Sequence, residues 1–475
     1  MELLGRARPP SMVVVRGSRL LEQDCHSALL TDLYELTMAA AYFENGFLNP
    51  ASFELFVRLL PPERSYLVAA GLEQALDHLA TLRFHPEDIE YLRRQPVFHH
   101  ISDRFFEYLS TFRFTGEVWA IPEGTPVFHE EPLLRATAPM IEAQIVETFL
   151  PSIITFQTSI ASKAARIVEV AQGRDVVEFG TRRAHGPEAG TLAARAAYIG
   201  GCTGTSNVEA GRRFGIPTFG TMAHSFIMAY DDEEESFRIF HRLFPEHATL
   251  LIDTYDTLAA IDKIIESGLH PKAVRLDSGN LVELSREVRR RLDQGGLDRT
   301  RIFVTSDLDE YVITEMLARG AQVDAFGVGT SLATSNDAPA LGGVYKLVDV
   351  YSAEGSSPRA KLSGGKISYP GCKQVLRREG EDGKYKEDLV TRCSEDSEGA
   401  APLLACVMRD GKRIKSSPTL DRVREYACKE VGKLPDSCRR LHNPVAYPVR
   451  FSEELQVLLE EFRARPAHKT GRAVS

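Results

Sequence analysis

Between Asp175 and Gly327 short apolar runs alternate with amphipathic stretches. The runs are DVVEF, AAYIGG, IPTFGT, ATLLI, KAVRL, RIFVT and VDAFG, and stretches such as DTLAAIDKIIESG, LVELSREVRRRLDQGG and DEYVITEMLARG carry helical spacing between them. Buried parallel strands joined by crossover helices produce this texture, so the pattern predicts seven such strands. Before them, LLTDLYELTMAAAYFENG reads as a helix, ASFELFVRLL as a strand and GLEQALDHLATL as a second helix. EVWAIPEGTPVFHEEPLLRATA then reads as short strands punctuated by Gly and Pro, and TFQTSIASKAARIVEVAQ as a long helix.

Beyond Tyr345 the texture turns to Lys- and Gly-rich hairpin signals in KLSGGKISYPGCKQVLRREGEDGKYKEDLV. The expected organisation is an N-terminal extension over residues 1–24, an α+β domain over 25–145, an α/β barrel over 146–345, a β-rich segment over 346–455 that packs with the N-terminal domain, and a polar tail over 456–475.

Polar residues sit just after each run: Phe179 to Arg183, Thr203 to Ser206, His224, Asp253, Asp277, Ser306 with Asp307, and Gly327 to Thr330. In a (β/α) barrel all parallel strands end on one rim, and seven distant clusters converge there. An open doubly wound sheet would instead spread them along an edge with one crevice. The expected fold class is α/β, an irregular barrel beside an α+β domain built from N- and C-terminal segments.

Composition narrows the function. The chain has 475 residues, 43% hydrophobic and 26% charged, with 57 Lys plus Arg against 66 Asp plus Glu and a net charge of -9. That total implies no basic face for nucleic acid. No apolar run approaches the ~20 residues that cross a bilayer, so a cytoplasmic protein is expected. Seven cysteines on so long a chain do not resemble a disulfide framework, and reduced thiols are expected. Cys393, Cys406, Cys428 and Cys438 miss the close spacing of zinc ligands.

Each candidate group has a bland reading beside its chemical one. Backbone N–H groups of GVGT at 327–330 can cradle a phosphate, although glycines at a strand end also serve as turn residues. Arg182 or Arg183 can fork onto a phosphate or carboxylate while Phe179 offers a flat face to an aromatic ring; a surface ion pair and a core ring are the plain alternatives. His224 can act as acid, base, ligand or nucleophile. IDTYD offers Asp253 and Asp256, and RLDSGN offers Arg275 and Asp277, so one carboxylate can orient the imidazole and others hold Mg²⁺, yet either aspartate turn also suits a helix N-cap. The acidic run DDEEES at 231–236 reads as the start of a solvated helix.

Taken in order, LLTDLYELTMAAAYF, VEFGTRRAHGPEAG, GTMAHSF, LIDTYDT, VRLDSGN, FGVGTSL, GGVYKLV and KISYPGCKQVLR resemble the nicotinate phosphoribosyltransferases, from about residue 28 to about 450. The resemblance implies a type II phosphoribosyltransferase fold and a homodimer with composite sites, in which Phe179 and Tyr34 of the partner subunit sandwich the pyridine ring. It implies a phosphohistidine at His224 with Asp253 near it, and Arg275 and Asp277 meeting ribose, pyrophosphate and Mg²⁺. It also implies substrate contact by Arg182, a 5′-phosphate held by Gly327, Gly329 and Thr330, and a pocket side closed by Ser306 and Asp307. ATP is the implied co-substrate. Asn280 stands where the family usually has aspartate, so that side chain is not expected on Mg²⁺. Ser206 stands where nicotinamide-using relatives place an aspartate, which favours nicotinate over the amide.

Two other functions remain open at this point, and a third lacks its required residue. A nicotinamide phosphoribosyltransferase would share the rim, and a silent barrel would bind phosphoribosyl metabolites without turnover. A sugar-phosphate aldolase would require a Schiff-base lysine after a strand, and none of the seven turns supplies one.

Overall fold

The expected first helix forms over Leu33–Glu44, with Glu35, Leu36, Ala39 and Ala40 on its buried face. The structure is a computed structural model and describes residues 28–362, 366–396 and 399–464. The extension expected over 1–24 lies outside the described residues.

Pro50–Val57 is buried at every position after its first, because it runs through the middle of a seven-stranded antiparallel sheet. Leu55 lies opposite Leu134 of Pro132–Pro139 on one side and Tyr345 of Gly343–Ser352 on the other. At the far flank Glu117–Ala120 pairs with Ala405–Arg409. Segments from both halves of the chain thus complete one sheet. A four-stranded sheet follows, ordered Ala401–Pro402, Lys373–Glu379, Tyr385–Arg392, Val449–Phe451. The helix Glu453–Ala464 buries Leu455, Leu459 and Phe462, so residues 456–464 are packed structure and not the polar tail expected there. An i, i+4, i+7 apolar stripe is what anchors them.

The long helix begins earlier than its pattern suggests, at Phe149, and runs to Val170. Leu150 and Ile154 join the core of the antiparallel sheet, whereas Ile160 to Ile167 join that of the parallel sheet. No helix among the described residues is long and apolar enough to cross a membrane.

The alternating region forms six parallel strands in the order Gly204–Thr205, Asp175–Glu178, Ala325–Val328, Arg301–Val304, Ala273–Leu276, Thr249–Leu251. Two of the seven expected runs differ. AAYIGG belongs to the helix Pro187–Ile199, since an Ala-rich stretch after a proline at the first helical position favours helix, and the strand is the short Gly204–Thr205 beyond it. IPTFGT contributes a single parallel bridge, Thr205 to Thr218, because Pro217 has no N–H to donate. That segment nevertheless spans the two sheet edges. Thr205 N–H donates to the Pro217 carbonyl at 3.0 Å, and Thr221 Oγ1 donates to the Thr249 carbonyl at 2.9 Å. The sheet curls around a cavity of about 350 Å³ lined by Phe179, Thr218, Thr249, Ala273, Phe303 and Ala325, among others. The architecture is mixed α/β, with a barrel-like parallel sheet beside antiparallel sheets.

Candidate active site

Hydrogen bonds and close contacts link one strand end to the next around this curled sheet. Asp253 follows Thr249–Leu251, and its Oδ2 accepts the backbone N–H of Asp277 at 3.0 Å and the hydroxyl of Ser278 at 2.6 Å. Asp277 follows Ala273–Leu276 and takes Arg275 Nη2 on its Oδ1 at 2.7 Å. Thr305, after the strand Arg301–Val304, donates to the same oxygen and accepts from Arg275 Nε at 2.9 Å. Arg275 Nη1 also reaches the Met222 carbonyl at 3.3 Å, which ties in the turn before His224.

Burial pushes the Asp277 carboxyl up, but the hydrogen bond from Thr305 and the Arg275 charge outweigh it and hold the group below its usual value. Asp277 Oδ2 remains open and lies 3.8 Å from His224 Nε2. His224 Nδ1 lies 3.1 Å from Thr254 Oγ1. The carboxylate facing the imidazole is therefore Asp277. Asp253, expected beside the ring, is turned to the backbone of the next strand end, and its Oδ1 is buried without a hydrogen-bond partner among the described residues.

The helix-cap alternative holds for some acids and not others. Asp256 Oδ1 caps the helix Thr257–Glu266, accepting from Leu258 and Ala259 at 3.0 and 2.8 Å, whereas Asp253 and Asp277 cap nothing. Asn280 caps Leu281–Gln294 by accepting the Glu283 N–H at 3.4 Å. The acidic run opens the helix Glu233–Leu243, with Asp232 as its cap.

On the other half of the rim, Phe179 packs edge-on against Phe303, ring centroids 5.4 Å apart at 85°. Gly327 lies under both rings. A Cβ there would come within 2.7 Å of Thr305 Cγ2, 2.9 Å of Phe303 Cζ and 3.0 Å of Phe179 Cδ2, so only glycine leaves the rings in place. Phe179 N–H donates to the Val328 carbonyl at 2.8 Å, and a Cβ on Gly329 would lie 3.4 Å from the Phe179 carbonyl oxygen. Thr330 opens the short helix Thr330–Ala333. Ser306 holds φ at +111°, a conformation costing about 1–3 kcal/mol for a residue with a side chain. Ser306 and its neighbour Asp307 are both exposed.

Arg182 and Arg183 lie in the exposed turn Thr181–Arg183, and neither makes a side-chain hydrogen bond or ion pair among the described residues. Ser206 is exposed, its N–H donating to the Glu178 carbonyl at 2.9 Å. Tyr34 stands apart on the first helix, 45% exposed. Burial, then the charges of Glu147, Glu35 and Asp32, push its hydroxyl up.

Four residues outside the expected set carry much of this geometry: Thr254, Ser278, Thr305 and Glu178. The first three adjoin named residues in IDTYD, RLDSGN and RIFVTSD. Glu178 is a lone acid closing an apolar strand. It is fully buried, takes the Thr205 hydroxyl at 2.6 Å and the Gly180 N–H, and is pushed up by burial against those two bonds. It locks two turns of the rim together.

A rim of this kind offers an imidazole, a guanidinium–carboxylate pair, an aromatic face and a glycine turn around one opening. Mg²⁺ is commonly bound by one or two carboxylates together with substrate phosphates. The open Asp277 Oδ2 fits that requirement, although no group of three or more His, Cys, Asp or Glu side chains is gathered for a metal among the described residues.

Comparison with known proteins points the same way. Residues 29–155 match the model of the nicotinate phosphoribosyltransferase (NAPRTase) N-terminal domain, residues 160–338 the quinolinate phosphoribosyl transferase C-terminal domain, and residues 384–459 the nicotinate phosphoribosyltransferase C-terminal domain. The chain is 48% identical to nicotinate phosphoribosyltransferase pncB2 of Mycobacterium tuberculosis over 436 residues, covering 90% of this chain and 92% of that protein. It is 37% identical to nicotinate phosphoribosyltransferase of Bacillus subtilis, covering 91% and 94%. Human nicotinic acid phosphoribosyltransferase superposes with a TM-score of 0.79 at 27% identity, over 92% of this chain and 100% of that one. The chain belongs to the nicotinate phosphoribosyltransferase family.

Proposed function

We propose that this chain joins nicotinate to 5-phosphoribosyl 1-pyrophosphate, with ATP and water consumed through a phosphohistidine at His224, giving nicotinate mononucleotide, pyrophosphate, ADP and phosphate. Its family makes it an enzyme of NAD salvage from nicotinate. The observation that carries the finer reading is the Arg275–Asp277 pair at 2.7 Å, with its free oxygen facing His224.

The pyridine nitrogen carries a lone pair at neutral pH, so it attacks the ribose anomeric carbon without a general base while the bond to pyrophosphate breaks. Rate then comes from positioning and from stabilising separated charge. Asp277 faces the positive charge growing on the ribose, and Arg275 the negative charge growing on pyrophosphate. Mg²⁺ held by Asp277 with pyrophosphate oxygens would supply further charge stabilisation on the leaving group. Phe179, kept edge-on by Phe303, presents its face to the pyridine ring, and Arg182 pairs with a substrate carboxylate or phosphate. Gly327, Gly329 and Thr330 hold the 5′-phosphate, and Ser306 and Asp307 close that side. Ser206 adds no charge to oppose the nicotinate carboxylate.

With Nδ1–H donating to Thr254, His224 Nε2 keeps its lone pair for the γ-phosphorus of ATP. The N–P bond forms as the β–γ bridge breaks and ADP leaves, and water later returns the phosphoryl group as phosphate.

The curled sheet is read as an irregular (β/α) barrel over 146–345, beside a domain of residues 25–145 and the segment from 346 through the helix Glu453–Ala464. A homodimer completes the site with Tyr34 of the partner subunit. Tyr34 with Leu30 and Leu33, 53% and 54% exposed, supports that surface. A cytoplasmic setting suits the six described cysteines, all free thiols.

Purified protein given phosphoribosyl pyrophosphate, Mg²⁺ and ATP with equal nicotinate or nicotinamide should form nicotinate mononucleotide. Preferential formation of the amide nucleotide would replace this reading with the nicotinamide enzyme, and binding of phosphoribosyl pyrophosphate without either product would make the chain a silent barrel.

A further inference from the structure

Away from the rim lies a cluster that the transfer does not use. Lys373 stands opposite Arg392 in the antiparallel ladder of Lys373–Glu379 with Tyr385–Arg392. One position further, Cys372 meets Cys393, whose N–H donates to the Cys372 carbonyl at 3.0 Å. The two cysteines lie one position beyond the paired strands, held by that single backbone bond, and antiparallel partners in this register stand about 4.5–5.5 Å apart at Cα, inside the roughly 4.4–6.8 Å that a disulfide spans. Directly opposite side chains leave a ladder on the same face.

Each sulfur has its own polar partner. Arg135 Nη1 donates to Cys393 Sγ at 2.5 Å and to the Lys373 carbonyl at 2.8 Å. The Tyr351 hydroxyl lies 3.2 Å from Cys372 Sγ. Glu54 accepts the Lys373 N–H at 2.7 Å and pairs with Lys373 Nζ at 2.7 Å. Cys393 reaches solvent while Cys372 is partly buried.

We propose that Cys372 and Cys393 are a reversible oxidation site, closed to a cross-strand disulfide by a hydroperoxide such as hydrogen peroxide. The Cys393 sulfur attacks a peroxide oxygen, so an S–O bond forms, the O–O bond breaks and one water leaves. Cys372 sulfur then attacks the sulfenic sulfur, forming S–S as the S–O bond breaks and a second water departs. Two thiols lose two electrons to the peroxide, and their two protons end on the two waters. A dithiol reverses the reaction by exchange. Burial, joined by the Glu54 charge, pushes both thiols up against the pull of Arg135, the Cys393 thiol to about 11.

Closing the bridge changes the sulfur to which Arg135 donates. The same guanidinium lies 5.4 Å from the ring centroid of Trp119, the single tryptophan of the sequence, so indole emission reports on the pair.

The test treats the full-length protein with hydrogen peroxide, blocks remaining thiols with N-ethylmaleimide, and maps peptides without reductant by tandem mass spectrometry while Trp119 emission is recorded. The expected result is a Cys372–Cys393 cross-link two hydrogens lighter than its separate peptides. An emission shift should accompany it, reversed by dithiothreitol and lost in Cys372→Ser and in Cys393→Ser. Separate alkylated or sulfinic peptides, a bridge from Cys393 to another cysteine, or an unchanged shift in either variant would overturn the proposal. The peptide map needs only the unmutated protein, so it decides the matter even where a variant fails to fold.

Discussion

Asp253 Oδ2 accepts the backbone N–H of Asp277 at 3.0 Å, so a carboxylate at one strand end fixes the turn that carries Asp277 at the next. Asp253→Ala should release that turn and the Ser278 hydroxyl together. A displacement of about 1 Å at reacting groups costs roughly 10²-fold in rate, and a loss of kcat/KM of that order is expected in steady-state assays. An unchanged kcat/KM would show that the turn holds itself.

Ser206 should set the choice of base. It is exposed at the rim, and Ser206→Asp places a carboxylate where nicotinate brings its own. At an effective dielectric near 20, like charges about 8 Å apart repel by about 2 kcal/mol, or roughly 30-fold in kcat/KM. Parallel assays with nicotinate and nicotinamide should show that bias toward the amide, and an unaltered ratio would place Ser206 outside the pyridine site.

The parallel sheet is legible in the sequence because strands buried on both faces must be short and apolar, and turns at their ends must be polar. That logic identifies DVVEF, ATLLI, KAVRL, RIFVT and VDAFG. It misreads AAYIGG, since an apolar run without β-branching fits a buried helix equally well, and it overrates IPTFGT, whose proline leaves one bridge. The rim acids are visible as residue types, but their partners are not. Whether Asp253 faces His224 or the Asp277 amide depends on the relative position of adjacent strands, which no local spacing encodes. Thr254 and Thr305 pass unnoticed because a hydroxyl beside a strand end has no distinctive pattern.

Gly327→Ala tests the packing under the Phe179 and Phe303 rings. The added methyl meets Thr305, Phe303 and Phe179 at 2.7 to 3.0 Å, and overpacking of this kind costs about 1–3 kcal/mol. A lower melting temperature and a raised KM for nicotinate are expected together. Raised KM without loss of stability would mean that the rings move freely.

Glu35 should give the fold a pH dependence near neutrality. Burial, opposed by hydrogen bonds from Thr148 and Thr31, pushes its carboxyl from 4.5 up to about 7. The folded state therefore holds this proton more tightly than the unfolded chain. The associated stability is fully present below 4.5 and is lost as pH rises through about 7. Melting temperature should fall between pH 5 and pH 8, and Glu35→Gln should flatten that slope; an equal slope in the variant would assign the effect elsewhere.

The most direct test follows nicotinate mononucleotide and ADP in the same reaction, with and without ATP, in the unmutated protein and in His224→Ala. The unmutated protein should release ADP in step with mononucleotide and turn over faster with ATP. His224→Ala should form no ADP and retain at most slow, ATP-independent transfer. ADP formation still coupled to mononucleotide in the variant would contradict the phosphohistidine.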